Sequence, residues 1–371
     1  MYKKKAWKEI LTITSGKNQK SVESFNGKYP IYGSGGIIGY ANEYLCPANT
    51  IIVGRKGTIN RPIYVTEPFW NIDTAFGIVA GIELIPKFLY FFCLTYNFKS
   101  LDKSTGRPSI SKSDLLKIEM PIPDIDEQQR IVSRIEELFS ELDKSVEILQ
   151  TIKKQLEVYR QAVLKEAFSS LHEKVQIRSI SSMVTSGSRG WAKYYSEEGA
   201  RFVRITDLTR NHIKLKNNAI QRVCLPQNAE GKRSRLHGGD VLISITADLG
   251  SIALVPDSIE ETYINQHIAV VRFNNAYQGE FMAWYLKSEY GQKDLIKNKR
   301  GGGKLGLGLD DIRNVVVPVV SNEIADRIVK AIDSRLSVCD SIEQTVDMAL
   351  SQAEAMRQSI LKKAFEGGLS E

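Results

Sequence analysis

Two stretches of the chain carry apolar residues in alternating steps of three and four. The first passes through Ile131, Ile135, Leu138, Leu142, Leu149, Ile152, Leu156, Tyr159 and Val163, with Ser145 its one polar position. The second passes through Ile328, Ile332, Ile342, Val346, Ala349, Ala353, Met356 and Ile360, and weakens at Arg335 and Cys339. A seam of this period predicts a long helix that buries one stripe against a partner. Pro121 and Pro123 precede the first stretch and Pro318 the second; a missing N–H does no harm ahead of a helix. Gly367-Gly368 ends the second, as glycine commonly does. At about 40 residues each, the helices would be roughly 60 Å long. Neither covers its own stripe, so each is expected to pair with the other. A chain that folds back would set them antiparallel, relate its halves by a pseudo-two-fold axis, and bring large Leu138 and Leu142 near small Ala353 and Ala349.

The chain also repeats itself. Arg130-Ile131-Val132 matches Arg327-Ile328-Val329 at an offset of 197. At the same offset Arg160-Gln-Ala-Val-Leu-Lys-Glu-Ala-Phe168 matches Arg357-Gln-Ser-Ile-Leu-Lys-Lys-Ala-Phe365. Without a gap the register joins Pro121 to Pro318, Asp114 to Asp311, Gly106 to Gly303 and Lys103 to Arg300. Further upstream gaps are needed: Thr14-Ser15-Gly16 resembles Thr185-Ser186-Gly187, and Asn71–Ala75 resembles Asn265–Ala269. This is a duplication whose front parts have diverged. It divides the chain into fronts at 1–121 and 172–318 and helical segments at 122–171 and 319–371.

The fronts read as mixed strands, loops and short helices, so the fold class is α/β (α+β). Asn49–Gly54 and Gly239–Ile245 are β-rich runs after turn residues, each followed by a short polar stretch with glycine. Pro86–Asn97 and Gln278–Tyr290 read as aromatic-rich helices on a sheet, their rings (Phe88, Tyr90, Phe91, Phe92; Phe281, Trp284, Tyr285) expected in the core.

Charge sharpens the division. The chain has 50 basic and 43 acidic residues, net +7. Residues 1–125 and 171–317 each carry +6, while 126–170 carry −2 and 318–371 carry −3. Two basic modules joined by mildly acidic helices suggest two contacts with a polyanion. The loops Lys103-Ser-Thr-Gly-Arg-Pro-Ser109 and Arg300-Gly-Gly-Gly-Lys304 occupy equivalent places in the repeat. Glycine admits a phosphate close to the backbone and Lys or Arg supplies charge. Candidate nucleic-acid contacts are therefore Lys103, Thr105, Arg107, Arg300 and Lys304. Arg55, Lys56, Asn60 and Arg61 join them in the first front, and Arg189, Trp191, Arg201 and Arg204 in the second.

Little else points to chemistry. Cys46, Cys93, Cys224 and Cys339 are far apart and the four histidines lack ligand spacing, so buried free thiols are expected rather than a zinc site. No phosphate-loop signature, amino-methyltransferase motif, glycine-rich cofactor fingerprint or nuclease-like carboxylate cluster is visible. The longest apolar stretch, near Ile82–Tyr96, is broken by Pro86 and Lys87, too short for a membrane span. Nor does Met1-Tyr-Lys-Lys-Lys lead into a signal-peptide core. A cytoplasmic recognition or scaffold protein is expected.

The stretch Pro121-Ile-Pro-Asp-Ile-Asp-Glu-Gln-Gln-Arg-Ile-Val132 resembles the start of the first helix in the specificity subunits of type I restriction-modification systems. Tyr29-Pro-Ile-Tyr-Gly-Ser-Gly-Gly36 and Asn49-Thr-Ile-Ile-Val-Gly-Arg-Lys-Gly57 are similar to their target recognition domains. The likeness spans nearly the whole chain. The second copy departs from it, with Asn322-Glu-Ile-Ala-Asp-Arg327 where the first has Glu-Gln-Gln-Arg. The resemblance implies two target recognition domains, each reading half of a split, asymmetric site on double-stranded DNA, with the helices as a spacer. It implies two methyltransferase subunits that modify adenine, and two restriction subunits. S-adenosylmethionine, ATP and Mg2+ would be bound by those partners, with no cofactor and no catalysis in this chain. The competing reading is a duplicated coiled-coil scaffold that binds nucleic acid without a modification role.

Overall fold

The computed structural model describes residues 2–225, 233–274, 276–297 and 306–368. The first front runs β1 (Lys4–Ala6), α1 (Trp7–Ile10), β2 (Leu11–Ser15), β3 (Tyr29–Gly33), β4 (Gly36–Ala41), β5 (Thr50–Gly54), β6 (Ile63–Val65), β7 (Trp70–Asn71), β8 (Ala75–Ala80), α2 (Pro86–Thr95), α3 (Lys112–Leu115) and β9 (Glu119–Pro121), then enters the long helix α4 (Ile125–Phe168). The second runs β10 (Lys174–Gln176), α5 (Ile177–Ile180), β11 (Ser181–Ser186), β12 (Tyr195–Ser196), β13 (Ala200–Val203), β14 (Gln221–Val223), β15 (Val241–Ser244), β16 (Ile252–Leu254), β17 (Thr262–Ile264), β18 (Ile268–Phe273), α6 (Ala276–Lys287), α7 (Glu289–Lys297), α8 (Leu309–Arg313) and β19 (Val316–Pro318), then enters α9 (Asn322–Glu366).

The chain forms two compact units, Met1–Leu149 with Asp347–Glu371, and Gln150–Val346. Each takes one front and a stretch of both long helices, so neither boundary falls between a front and its helix. The duplication that faded in the front sequences is plain in the sheets. The first unit has an antiparallel sheet ordered β2-β8-β5-β6, a small sheet β4-β3-β7 and the pair β1-β9. The second has β11-β18-β15-β16, then β12-β14-β13-β17, and the pair β10-β19. In each small sheet one pair is parallel, β3 with β7 and β13 with β17.

Alternation along the central strands gives each unit apolar packing on both faces of its main sheet. In β5, Ile51 and Val53 face the layer holding Trp7, Phe88 and Phe92, while Ile52 faces Cys46, Val65 and Phe69. In β15, Val241 and Ile243 face Phe281 and Trp284, while Leu242 faces Val203 and Val270. The aromatics of α2 and α6 are core, as their spacing indicated, although Tyr90 is half-buried. Instead of a single helix from Gln278 to Tyr290, the chain turns at Ser288 between α6 and α7. Cys46, Cys93 and Cys339 are buried, but Cys224 is exposed, just past the end of β14. Among the described residues no helix is long and apolar enough to cross a membrane.

The two long helices pack antiparallel, and the contacts within each unit repeat. In the first unit the Arg357 guanidinium pairs with Asp143 and lies 4.9 Å over the Phe139 ring. Phe365 stacks on Phe88 and Phe92 at 5.0 and 5.5 Å. In the second unit Arg160 pairs with Asp340 at 2.7 Å and Glu343 at 2.9 Å. There Arg335 meets Glu166 at 2.7 Å, and Phe168 meets Phe281 and Tyr285. Arg160 and Arg357 stand 197 apart in sequence, as do Asp143 and Asp340, Phe168 and Phe365, and Phe88 and Tyr285.

The seam differs from the expected one in detail. Ile131, Ile135, Leu156, Ile332, Val346 and Ala353 are buried, and Leu138, Leu142, Leu149, Ile152, Ile328, Ala349 and Ile360 are half-buried. Ile342 and Met356, however, are 41% and 46% exposed, and Tyr159 is exposed as well. The inward positions are their neighbours Glu343, Arg357 and Arg160, with Leu336 and Cys339 fully in the core. The slip is confined to alternate seam positions: Glu343 and Arg357 turn in where Ile342 and Met356 were expected, at the same 14-residue spacing, while Ile332, Val346 and Ala353 keep their places. The register is displaced too. Asp143 lies level with Arg357, so the partners of Leu138 and Leu142 lie about two to three turns beyond Ala353 and Ala349.

In the second unit the segment between β13 and β14 covers Arg160. It lines a cleft of about 770 Å3 with Arg160, Asp340 and Glu343. His212 stacks edge-on to Trp284 at 5.1 Å, with Nε2 3.8 Å from Asp340. Its Nδ1 accepts from the Lys214 N–H. Burial pushes the imidazole down to about 4, against the pull of Asp340. Lys287, which donates to the Thr209 carbonyl at 2.8 Å, is pushed by burial down to about 7. The first unit joins the equivalent strands by the short turn at Ser34-Gly35, and Arg357 is more open than Arg160, 24% against 5%.

Two outcomes follow for stability. Arg160→Ala strands two carboxylates and should destabilise the second unit by about 3 kcal/mol, while Arg357→Ala should cost the first about 1 kcal/mol. Hydrogen exchange of the helix amides under denaturant separates the two, and equal effects would contradict the burial difference. His212 stays neutral in the fold down to about 4, whereas the unfolded side chain takes a proton near its ordinary 6.5. Stability of the second unit should thus fall as pH drops through that window and level off below it. His212→Gln should flatten this part of the pH profile.

Candidate nucleic-acid interface

In the first unit the basic candidates gather where β5 ends. Arg55 and Lys56 donate their backbone N–H groups to the Thr74 carbonyl at 2.8 and 3.2 Å. Ile110 N–H reaches the Arg55 carbonyl and Gly57 N–H the Pro108 carbonyl, each at 3.0 Å. The segment after Arg107 is thereby laid along the 55–57 loop, with Lys56 bridged to Ser109. Gly57 has φ +82°, and a Cβ there would lie 3.1 Å from the Arg107 guanidinium. Arg107 therefore packs over this turn, and Arg55 lies 5.8 Å from the centre of the Phe76 ring.

Asp102 shapes the loop that presents Arg107. Its Oδ1 accepts from Ser104 N–H, Ser104 O–H and Ser109 N–H, at 3.0, 2.7 and 3.0 Å. These bonds, the Ser104 hydroxyl first, hold the carboxyl below its ordinary range. Lys103 reaches Asp114 at 3.2 Å, while Thr105 and Arg107 are exposed. Asn60 and Arg61 are exposed beyond buried Ile59.

The second unit builds the same frame from other residues. Thr246 bridges Gly306 as Lys56 bridges Ser109, and Leu307 N–H reaches the Ile245 carbonyl at 2.9 Å. Ala247 has φ +56°, the left-handed turn that Gly57 makes in the first unit. A non-glycine residue there is strained by roughly 1–2 kcal/mol. Gly16 and Gly187 explain the repeated Thr-Ser-Gly: a Cβ on either would lie within 2.0 Å of a carbonyl oxygen, of Ile72 or Ile264 respectively. Arg300 and Lys304 lie outside the described residues.

Three other candidates are displaced or turned inward. Trp191 is buried against Phe202 and Tyr263. Arg201 is 9% exposed, its guanidinium directed to Asn217 and the Lys216 carbonyl, because it stands on an inner strand of its sheet. Arg204 turns to Asp207 and the Ala219 carbonyl. Arg189 is exposed, next to Ser188, which bridges Asn265.

Sequence reasoning passed over a chain of polar side chains at this end of the second unit. Thr246 Oγ1 is 2.6 Å from His267 Nδ1, and Gln266 Nε2 is 2.9 Å from His267 Nε2. Thr246 and His267 are 21 residues apart, so no local spacing marks them. The one available signal was the match of Asn71 to Asn265, which places Gln266 and His267 where the first unit has Ile72 and Asp73.

A sequence model of the family described as "Type I restriction modification DNA specificity domain" matches residues 1–158 and 191–351. The chain is 24% identical over 356 residues to the Type I restriction enzyme EcoBI specificity subunit of Escherichia coli, covering 86% of this chain and 73% of that protein. It is 23% identical over 363 residues to the EcoKI specificity subunit of Escherichia coli strain K12, covering 89% and 76%. Among solved structures it superposes with a TM-score of 0.75 and 17% identity on a chain described under the structural basis of complex assembly and conformational transition of the type I R-M system, covering 99% of this chain and 98% of the other.

Arg107→Ala should weaken duplex binding and lower the slope of log affinity against log salt by about one; an unchanged slope would remove Arg107 from the interface. Asp102→Ala should speed amide exchange at Ser104 and Ser109 and weaken binding while leaving the sheet intact. Unchanged exchange at both amides would show that Asp102 does not hold the loop.

Proposed function

This chain belongs to the type I restriction-modification DNA specificity family, and we propose that it reads a bipartite, asymmetric duplex site, one half per unit, and directs adenine methylation and restriction by its partners. The observation that carries this reading is the frame built twice with different side chains. Arg55, Lys56 and Arg107 stand on it in the first unit; Thr246, Gln266 and His267 stand on it in the second. Equal frames suit one kind of ligand, and unequal side chains suit two different base sequences. The 44- and 45-residue helices would set the gap between half-sites.

Catalysis is assigned to the partners, as are S-adenosylmethionine, ATP and Mg2+. Two methyltransferase subunits would dock on the long helices. In support, apolar side chains stand exposed on them: Ile148, Met348 and Met356 in the first unit, Val158, Val338 and Ile342 in the second. Two restriction subunits would complete the assembly.

Methylome sequencing of a host with and without this chain, in the presence of its methyltransferase partner, tests the reading. A two-part adenine motif that disappears with the chain is expected. Methylation that does not depend on the chain would overturn the proposal and favour a nucleic-acid-binding scaffold.

A further inference from the structure

Gln266 and His267 lie in the turn before β18, and the main chain holds that turn closely. His267 N–H donates to Asn265 Oδ1 at 3.0 Å, and the His267 carbonyl accepts from Ile245 N–H at 3.0 Å. Ile245 is also the residue whose carbonyl receives Leu307 N–H. The polar chain is thus mounted on the repeated frame itself. All three of its side chains are half-buried, open on one side and fixed on the other.

The hydrogen bonds determine what Gln266 has left to offer. Its amide nitrogen faces His267 Nε2, so that ring nitrogen accepts. The ring proton then sits on Nδ1 and is donated to Thr246 Oγ1. One Gln266 N–H is engaged, which leaves the other N–H as a donor and the carbonyl oxygen as an acceptor. A donor beside an acceptor in one plane matches the N6 amino group and N7 of adenine in the major groove. Exposed Arg189 follows Ser188, which bridges Asn265, and its cation suits a backbone phosphate.

We propose that Gln266, oriented by His267 and Thr246, is a base-reading side chain of the second unit and takes the edge of an adenine. This rests on the specificity reading above and gives it a residue and a base. His267 and Thr246 are positioning residues, since they act through Gln266. In the first unit the matching position is Ile72, whose side chain has neither donor nor acceptor, so the two half-sites would be read differently at this point.

Selection from a random duplex library tests it, using the full chain assembled with its methyltransferase partner. The wild type should select a two-part site. Gln266→Ala should lose its adenine preference at one position in one half-site, by about tenfold or more, and keep every other position. Gln266→Glu has the same shape but only acceptors, and should shift that position toward cytosine, whose N4 amino group donates. His267→Ala should broaden the same position and no other. Wild-type selection by both Gln266 variants would overturn the assignment while leaving the specificity reading standing. A wild-type complex that selects no sequence would overturn both.

Discussion

The structure depends on the need of each long helix for a partner. An amphipathic helix of this length gains most of its stability from covering its apolar stripe rather than from backbone propensity. Here the cover comes from the other copy of the same element, and the price is two buried or half-buried arginines. Arg160 lies among Asp340, Glu343 and His212, and Arg357 between Asp143 and the Phe139 ring. Such pairs add little net stability compared with apolar packing. They do fix register, because a slip by one turn would leave a guanidinium buried without its carboxylate. Register in turn fixes where Phe168 and Phe365 dock, and so where each front is held against the helices.

Much of this was legible in the sequence. The offset of 197 joins the residues that make equivalent contacts, from Arg160 and Arg357 to Ser109 and Gly306. The misplaced positions share one pattern. The inward face keeps the heptad spacing but takes the neighbours of alternate seam residues, so where Ile342 and Met356 were expected, Glu343 and Arg357 turn in. Hydrophobicity pointed to the first set, and salt bridges between distant residues made the second set inward. The sequence therefore identified helices, pairing and direction, but not register.

The binding candidates show a similar division. Arg55, Lys56 and Arg107 were picked out because lysine and arginine beside glycine stand out in any chain. Arg201 was indistinguishable from them, since nothing local tells an exposed strand residue from one facing Asn217 across a loop. Thr246, Gln266 and His267 carry no composition signal, and only the fold assembles them. The frame is legible because duplication preserved it; the side chains it carries are less so because that is where the copies diverged.

The two units differ in how the chain composes them. The second is one unbroken stretch, Gln150–Val346, while the first joins Met1–Leu149 to Asp347–Glu371. During synthesis the second unit has all its parts before α9 is finished. The first, although begun earlier, waits with the Phe88 and Phe92 surface uncovered until Phe365 leaves the ribosome. Domains usually fold in the order in which they are made; here the order of completion is reversed, and the first module to start is the last to close.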